Sequence, residues 1–175
     1  HGDPSEALTR AAIRLETVAP RSSGWSTRWF RAAKVVEECV QEYARLAHVP
    51  GESFGELHAV LSVLEAQPEG AHLVIGNSLP IREVDLLATT TLPRLRVEAL
   101  RGASGIDGVV SAASGFAQAT DRPTTLLIGD ISFLHDIGGL WASAAGMTPL
   151  AIVVLNNGGG RIFEQLPVAK AINKG

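Results

Sequence analysis

Apolar positions in the first third of the chain recur at helical spacing. Leu8, Ala12, Leu15 and Ala19 stand three or four residues apart and predict a short amphipathic helix, broken by Arg21-Ser22-Ser23-Gly24. A second stripe, Trp29, Ala33, Val36, Val40, Tyr43 and Ala47, predicts a longer helix that His48-Val49-Pro50-Gly51 ends. Ser53 reads as the N-cap of a third helix, with Glu56 three residues on completing a capping box. Its buried face is Leu57, Val60, Leu61 and Leu64, and Pro68-Glu69-Gly70 stops it.

Beyond this point the pattern changes from stripes to runs. His72 to Ile75 is a short apolar strand running into Gly76-Asn77-Ser78, and Arg96 to Leu100 is a second. Residues 106 to 119 predict a helix with Ala112, Ala113, Gly115 and Ala117 on a close-packed face. Thr124 to Ile128 and Leu150 to Leu155 are the strongest strands, and their near-continuous apolar character suits a parallel sheet covered on both faces. The fold class expected is α/β, a parallel sheet flanked by helices with a helical N-terminal lead-in. The division expected is a lead-in over residues 1–52 and the sheet domain over 53–175. No internal repeat or low-complexity tract interrupts it.

Composition narrows the function classes only by exclusion. The chain has 175 residues, 46% of them hydrophobic, enough for one sizeable core. A net charge of −3 offers no electrostatic case for nucleic acid or an anionic membrane as partner. Cys39 is the single cysteine, which excludes an intrachain disulfide and a multi-cysteine zinc site. No apolar stretch approaches the roughly 18 residues that span a bilayer, and the opening His-Gly-Asp-Pro-Ser-Glu does not read as a secretory signal. A cytoplasmic location is the default expectation.

The chemistry concentrates between Gly129 and Pro167. Gly129-Asp130 ends one apolar run and Asn156-Asn157 ends the next. A carboxylate and an amide at the carboxyl ends of parallel strands can meet where an α/β sheet opens into a crevice. There they form a hard oxygen site suited to Mg²⁺. Asp130 and Asn157 are 27 positions apart, room for one crossover helix and two turns. A neutral amide at Asn157 limits negative charge beside a diphosphate. Gly158, Gly159 and Gly160 then let the backbone approach that group closely.

Gly-Asp, a spacer and Asn-Asn in this order resemble the cofactor motif of the thiamine-diphosphate-dependent decarboxylases and synthases. Two further segments, Gly76-Asn77-Ser78-Leu79-Pro80-Ile81-Arg82 and Arg101-Gly102-Ala103-Ser104-Gly105-Ile106-Asp107-Gly108, narrow the resemblance to the synthase family of menaquinone biosynthesis. Asp130-Ile131-Ser132-Phe133-Leu134-His135-Asp136 and Gly158-Gly159-Gly160-Arg161-Ile162-Phe163 agree with it. The likeness covers about residues 56 to 167.

The resemblance implies a thiamine-diphosphate-binding fold with thiamine diphosphate and Mg²⁺, or Mn²⁺ in its place, as cofactors. Asp130, Asn157 and the Gly159 carbonyl would be the metal ligands. Ser104, Gly105, Ile106, Gly129, Ile131 and Ser132 would complete the cofactor site, Ile106 being the aliphatic side chain that bends the cofactor into a V. Asn77, Ser78, Arg82 and Arg101 would meet substrate, the arginines forking onto carboxylates. Ile162, Phe163 and Leu166 would form an apolar wall.

The substrates implied are 2-oxoglutarate and isochorismate, in a homodimer or homotetramer whose sites are shared between subunits. The glutamate that activates the cofactor comes, in this superfamily, from another domain of a neighbouring subunit. Glu56 and Glu65 match no such motif, so no catalytic residue is assigned in this chain, which reads as an inactive, truncated fragment holding half a site. Trp25, Trp29 and Trp141 suggest packing against an absent domain or subunit. His135 reads more as structural than catalytic, Asp136 equally well as a surface charge, and Arg161 has no assigned role. Leu100 departs from the pattern, standing where a polar residue is expected before Arg101-Gly102. Two other classes stay open: a different thiamine-diphosphate-dependent decarboxylase or carboligase, which need not carry these arginines, and a non-catalytic diphosphate-binding module that scaffolds a partner.

Overall fold

Parallel strands buried on two faces need helices on both, and the chain supplies them in alternation. The structure, a computed structural model, describes residues 4–16, 24–46, 54–88, 93–100, 105–120, 122–166 and 169. Two helices, α1 (Pro4–Glu16) and α2 (Trp25–Leu46), are followed by α3 (Glu56–Glu65), β1 (His72–Ile75), α4 (Leu79–Leu87) and β2 (Arg96–Ala99). Then come α5 (Val109–Thr120), β3 (Thr124–Gly129), α6 (Asp130–His135), a 3-10 turn at Ile137–Gly139, α7 (Leu140–Ala145), β4 (Leu150–Leu155) and a last 3-10 turn at Arg161–Gln165. The chain divides into two compact units, His1–Cys39 and Val40–Gly175. In the first, Trp25 and Trp29 pair one helical turn apart, ring centroids 5.7 Å from each other. No helix among the described residues is long and apolar enough to cross a membrane.

In the second unit the four strands are all parallel, in the order β2-β1-β3-β4. Register follows from which side chains each face must bury. Leu73 and Ile75 of β1 and Leu127 of β3 join Val60 and Leu64 of α3 and Val84 and Leu87 of α4 in one core. Val74, Leu126 and Ile128 face the other way, onto Val109, Val110 and Ala113 of α5. Each of these large side chains contributes about 1.5–3 kcal/mol through its burial. The α/β class is as expected, and β1 and β4 keep the expected bounds.

Four expectations are corrected in detail. Helix α5 starts at Val109, because Gly108 takes a positive φ of 65°. Its close-packed face is Val110, Ala113, Ser114 and Ala117; Gly115 points to solvent. The crossover is two short helices, α6 and α7. Asp136 breaks it, its carboxylate accepting the Ser111 N–H at 2.9 Å and facing the Ser111 hydroxyl at 3.3 Å, so it is no idle surface charge. Gly139 presses there on α5, where a Cβ would stand 2.7 Å from the Ser111 nitrogen. The N-cap of α3 is Gly55, whose N–H donates to Nδ1 of His58 at 3.0 Å; Ser53 lies outside the described residues. Strand β4 is only partly covered, being an edge among the described residues.

Candidate functional site

The order β2-β1-β3-β4 sends the chain opposite ways from the two central strands. β1 continues into α4, on the face packed by α3, whereas β3 continues into α6, on the face packed by α5. A crevice must open between their carboxyl ends, the place where open α/β sheets bind ligands. A cavity of about 280 Å³ lies there. Its walls come from three strand ends: Asn77 to Pro80 after β1, Gly129 to Ser132 after β3, and Asn157 with Gly160 to Phe163 after β4. Ile106 and Glu56 complete it.

The β4 end is relaxed by glycine. Gly158, Gly159 and Gly160 hold φ of 86°, 81° and 69°, a run that L side chains would strain. The two asparagines brace it. Asn156 Oδ1 accepts the Gly158 N–H and Asn157 Oδ1 accepts the Gly159 N–H, each at 3.2 Å. Gly159 lies against the β3 end, where a Cβ would stand 3.0 Å from Ile131 Cδ1 and 3.9 Å from Asp130 Oδ2. Asp130 opens α6, with Oδ1 accepting the Ile131 N–H at 2.8 Å. Asp130 and Asn157 thus line one cavity from the ends of two strands. Their donor type suits a small divalent cation. No cluster of three or more His, Cys, Asp or Glu among the described residues could hold a metal, so a cation here would depend on this mixed set.

Strain and an unpaired acceptor mark the β1 end. Ser78 has φ 75° and ψ −126°, and is the single non-glycine residue at positive φ among those described. Backbone held there costs about 1–3 kcal/mol and is concentrated at functional sites. Asn77 is 5% exposed; its Nδ2 donates to the Gly105 carbonyl, which ties down the segment carrying Ile106. Its Oδ1 is buried without a hydrogen-bond partner in the cavity wall. A buried acceptor costs roughly 1–3 kcal/mol unless something donates to it, so a ligand bearing an N–H or O–H fits this wall.

Ten of the sequence-predicted site residues therefore line one cavity: Asn77, Ser78, Ile106, Gly129, Asp130, Ile131, Ser132, Asn157, Ile162 and Phe163. Gly105 and Gly159 stand immediately behind it. Arg82 is exposed and outside the lining, its guanidinium donating to the carbonyl of Ser78 one turn back. Leu166 is exposed too, and Arg101 and Ser104 lie outside the described residues. His135 faces Asp107 at 3.4 Å on the surface, outside the cavity lining. Trp141 is exposed.

Three charged groups escape the sequence reading. Glu56, first residue of α3, lines the cavity and receives the Asn157 Nδ2 donors at 3.0 and 3.1 Å on its two oxygens. Glu83 on α4 has a buried, unpartnered Oε2. Burial, and then the charge of Glu56, push its carboxyl up to about 7. Arg161 lines the cavity and pairs with Glu164 at 3.3 Å. Arg161 carried a signal in its position directly after the glycines; Glu56 was marked only as a capping-box residue, and Glu83 sits on a helix face with no motif to mark it.

A parallel α/β domain with a carboxylate, an amide and a glycine run at its switch point is consistent with the thiamine-diphosphate-binding class. Comparison with known proteins carries this to a family. Over 170 residues, 97% of this chain, it is 41% identical to the 2-succinyl-5-enolpyruvyl-6-hydroxy-3-cyclohexene-1-carboxylate synthase of Bacillus velezensis. It is 41% identical over 173 residues to that of Sorangium cellulosum and 42% over 168 residues to that of Shewanella halifaxensis. The chain is thus similar to members of this synthase family over nearly all of its own length. It spans about 28–29% of the length of these relatives. No protein-family model matches it.

Proposed function

We propose that this chain is the metal–diphosphate-binding part of a thiamine-diphosphate-dependent transferase of menaquinone biosynthesis. The whole enzyme would decarboxylate 2-oxoglutarate and join the remaining four-carbon unit to isochorismate, giving the product for which its relatives are named. Residues 53–175 are assigned to the cofactor-binding part and 1–52 to the lead-in. The observation that supports the reading is that Asp130 and Asn157, from the ends of β3 and β4, line one cavity with Gly159 packed against the β3 end beside them.

Bound thiamine diphosphate supplies the carbanion chemistry needed for decarboxylation and carbon–carbon bond formation. This chain's residues hold and shape. The Asp130 carboxylate, Asn157 Oδ1 and the Gly159 carbonyl take a Mg²⁺ or Mn²⁺ ion, which neutralises the diphosphate. Gly129, Ile131 and Ser132 line the cofactor path, and Gly105 and Ser104 belong to the same assigned set. Ile106 packs beneath the rings, its segment fixed by the Asn77–Gly105 hydrogen bond. Ser78 and Asn77 face substrate with a hydroxyl and an unpaired acceptor, and Arg101 takes a carboxylate; Arg82, closed on the Ser78 carbonyl outside the cavity, is left out of the set. Ile162, Phe163 and Leu166 exclude water from that side. The activating glutamate is assigned to a neighbouring subunit of a homodimer or homotetramer, since Glu56 is engaged with Asn157.

Titration calorimetry of the chain with thiamine diphosphate tests the reading. Binding is expected with Mg²⁺, to vanish with EDTA, and to be lost in Asp130→Ala. Binding indifferent to chelation and to that substitution would sink the enzyme reading and leave a scaffold. CO₂ release from 2-oxoglutarate by the chain alone would remove the half-site assignment.

A further inference from the structure

An asparagine is an ambiguous metal ligand. Its oxygen and its NH₂ are nearly the same size, and a half-turn of the side-chain amide presents donors where a cation needs an acceptor. Something must fix the rotation. At Asn157 both ends of the amide are engaged: Oδ1 accepts the Gly159 N–H at 3.2 Å, and Nδ2 lies 3.0 and 3.1 Å from the two oxygens of Glu56. An ionised carboxylate accepts and cannot donate. It therefore takes the NH₂ end alone, through charge-assisted bonds roughly twice as strong as neutral ones.

Glu56 is itself held. It follows Gly55, whose N–H donates to His58 Nδ1 at 3.0 Å. The same ring lies face to face with Tyr43, centroids 4.0 Å apart, and its Nε2 reaches the Tyr43 carbonyl at 3.1 Å. With Nδ1 accepting, Nε2 is the donor. His58 is 3% exposed, so this clamp is a packed part of the domain. Glu56 and Asn157 also line a second cavity of about 370 Å³.

We propose that Glu56 is a positioning residue for the cation site: it locks the Asn157 amide with Oδ1 toward the metal and Nδ2 away from it. This role rests on the metal–diphosphate reading above. It gives a purpose to a carboxylate that would otherwise add negative charge beside a diphosphate. Partners of this kind behind metal ligands change metal affinity by about 10–100-fold when removed.

The test measures Mg²⁺-dependent thiamine diphosphate binding by calorimetry, with the thermal midpoint and the Asn157 side-chain amide resonances followed in parallel. Glu56→Leu is expected to weaken the Mg²⁺ dependence by about 10–100-fold and to shift the Asn157 NH₂ signals. Asn157→Asp sets two carboxylates face to face and is also expected to weaken it. Adding Glu56→Gln to Asn157→Asp restores a donor–acceptor pair with the polarity reversed. That double variant is expected to bind about tenfold tighter than N157D alone, the order of a hydrogen bond to a charged group. Should E56L simply fail to fold, the comparison of the two N157D proteins decides. The positioning role is overturned if E56L binds within about twofold of wild type while D130A has lost binding, or if E56Q/N157D binds no tighter than N157D. Wild-type binding that ignores Mg²⁺ would instead overturn the underlying reading, and this role with it.

Discussion

Two strand ends build most of the cavity, and they reach it by opposite means. After β4, three glycines in succession carry the chain through positive φ at little cost, with each asparagine bracing the residue two further on. After β1, a serine takes positive φ without that freedom, and Asn77 keeps an acceptor unpaired. Glycine appears there too, at Gly76, but for contact: a Cβ would stand 3.2 Å from the Ile128 Cα and 3.3 Å from the Leu127 carbonyl. One end is relaxed, and in the proposed reading it offers oxygens to a cation. The other is strained and tight, the kind of backbone that is concentrated at functional sites.

The comparison breaks most completely at its shared partner. Asp130→Ala removes the only charged ligand of the proposed set and is expected to cost more than about 100-fold in Mg²⁺-dependent binding, beyond the 10–100-fold of a supporting residue. Gly76→Ala should follow, destabilising the domain by about 1–3 kcal/mol through overpacking against β3 backbone. In a chain of this size that lowers the melting temperature by about 2–4 °C per kcal/mol. Gly158→Ala meets nothing within 4 Å and holds φ 86°, so its cost is backbone strain alone, about 1–2 kcal/mol. A larger loss than for G76A would show that the β4 end is as crowded as the β1 end.

Ser78→Gly has the opposite sign. Relief of strain, less the added freedom of the unfolded chain, leaves a gain of about 1 kcal/mol, with weaker substrate binding from the lost hydroxyl. A destabilised S78G would mean that Ser78 is not strained. The smallest effect is pH-dependent. The Glu83 carboxyl holds its proton to about 7 in the folded chain, against an ordinary value of 4.5. Between those values the folded state binds more protons than the unfolded, so stability falls as pH rises through the window. Glu83→Gln should raise the melting temperature at pH 8 and leave it unchanged at pH 4.5.

Strands β1 and β4 agree residue for residue with expectation, and β3 gains only Gly129. Short runs of Leu, Ile and Val between turn residues leave little choice when both faces are covered. The crossover between β3 and β4 was harder to read. Its length allowed a single helix, but the Asp136–Ser111 contact and the fit of Gly139 against α5 decided for two. Similarly, Asp130, Asn157 and the glycines could be recognised from order and spacing, since they sit at the boundaries where strand pattern gives way to turn chemistry. Arg82 shows the limit of that method. Its motif position is clear, yet its guanidinium closes on its own helix and lies outside the cavity.

The sequence by itself determined which segments become strands and where Asp130, Asn157 and the glycines fall at their ends. Both are local matters, written in hydrophobic period, turn residues and spacing within one crossover. Tertiary structure alone decided that Glu56 faces Asn157 across 101 positions. It decided equally that Glu83 loses water beside Glu56 and that Ser78 carries strain. An isolated glutamate on an amphipathic helix has the same local pattern whether it ends in solvent or against an amide. Its partner, its hydration and its charge state are set only when distant elements pack, because electrostatic and desolvation energies depend on where atoms stand in space.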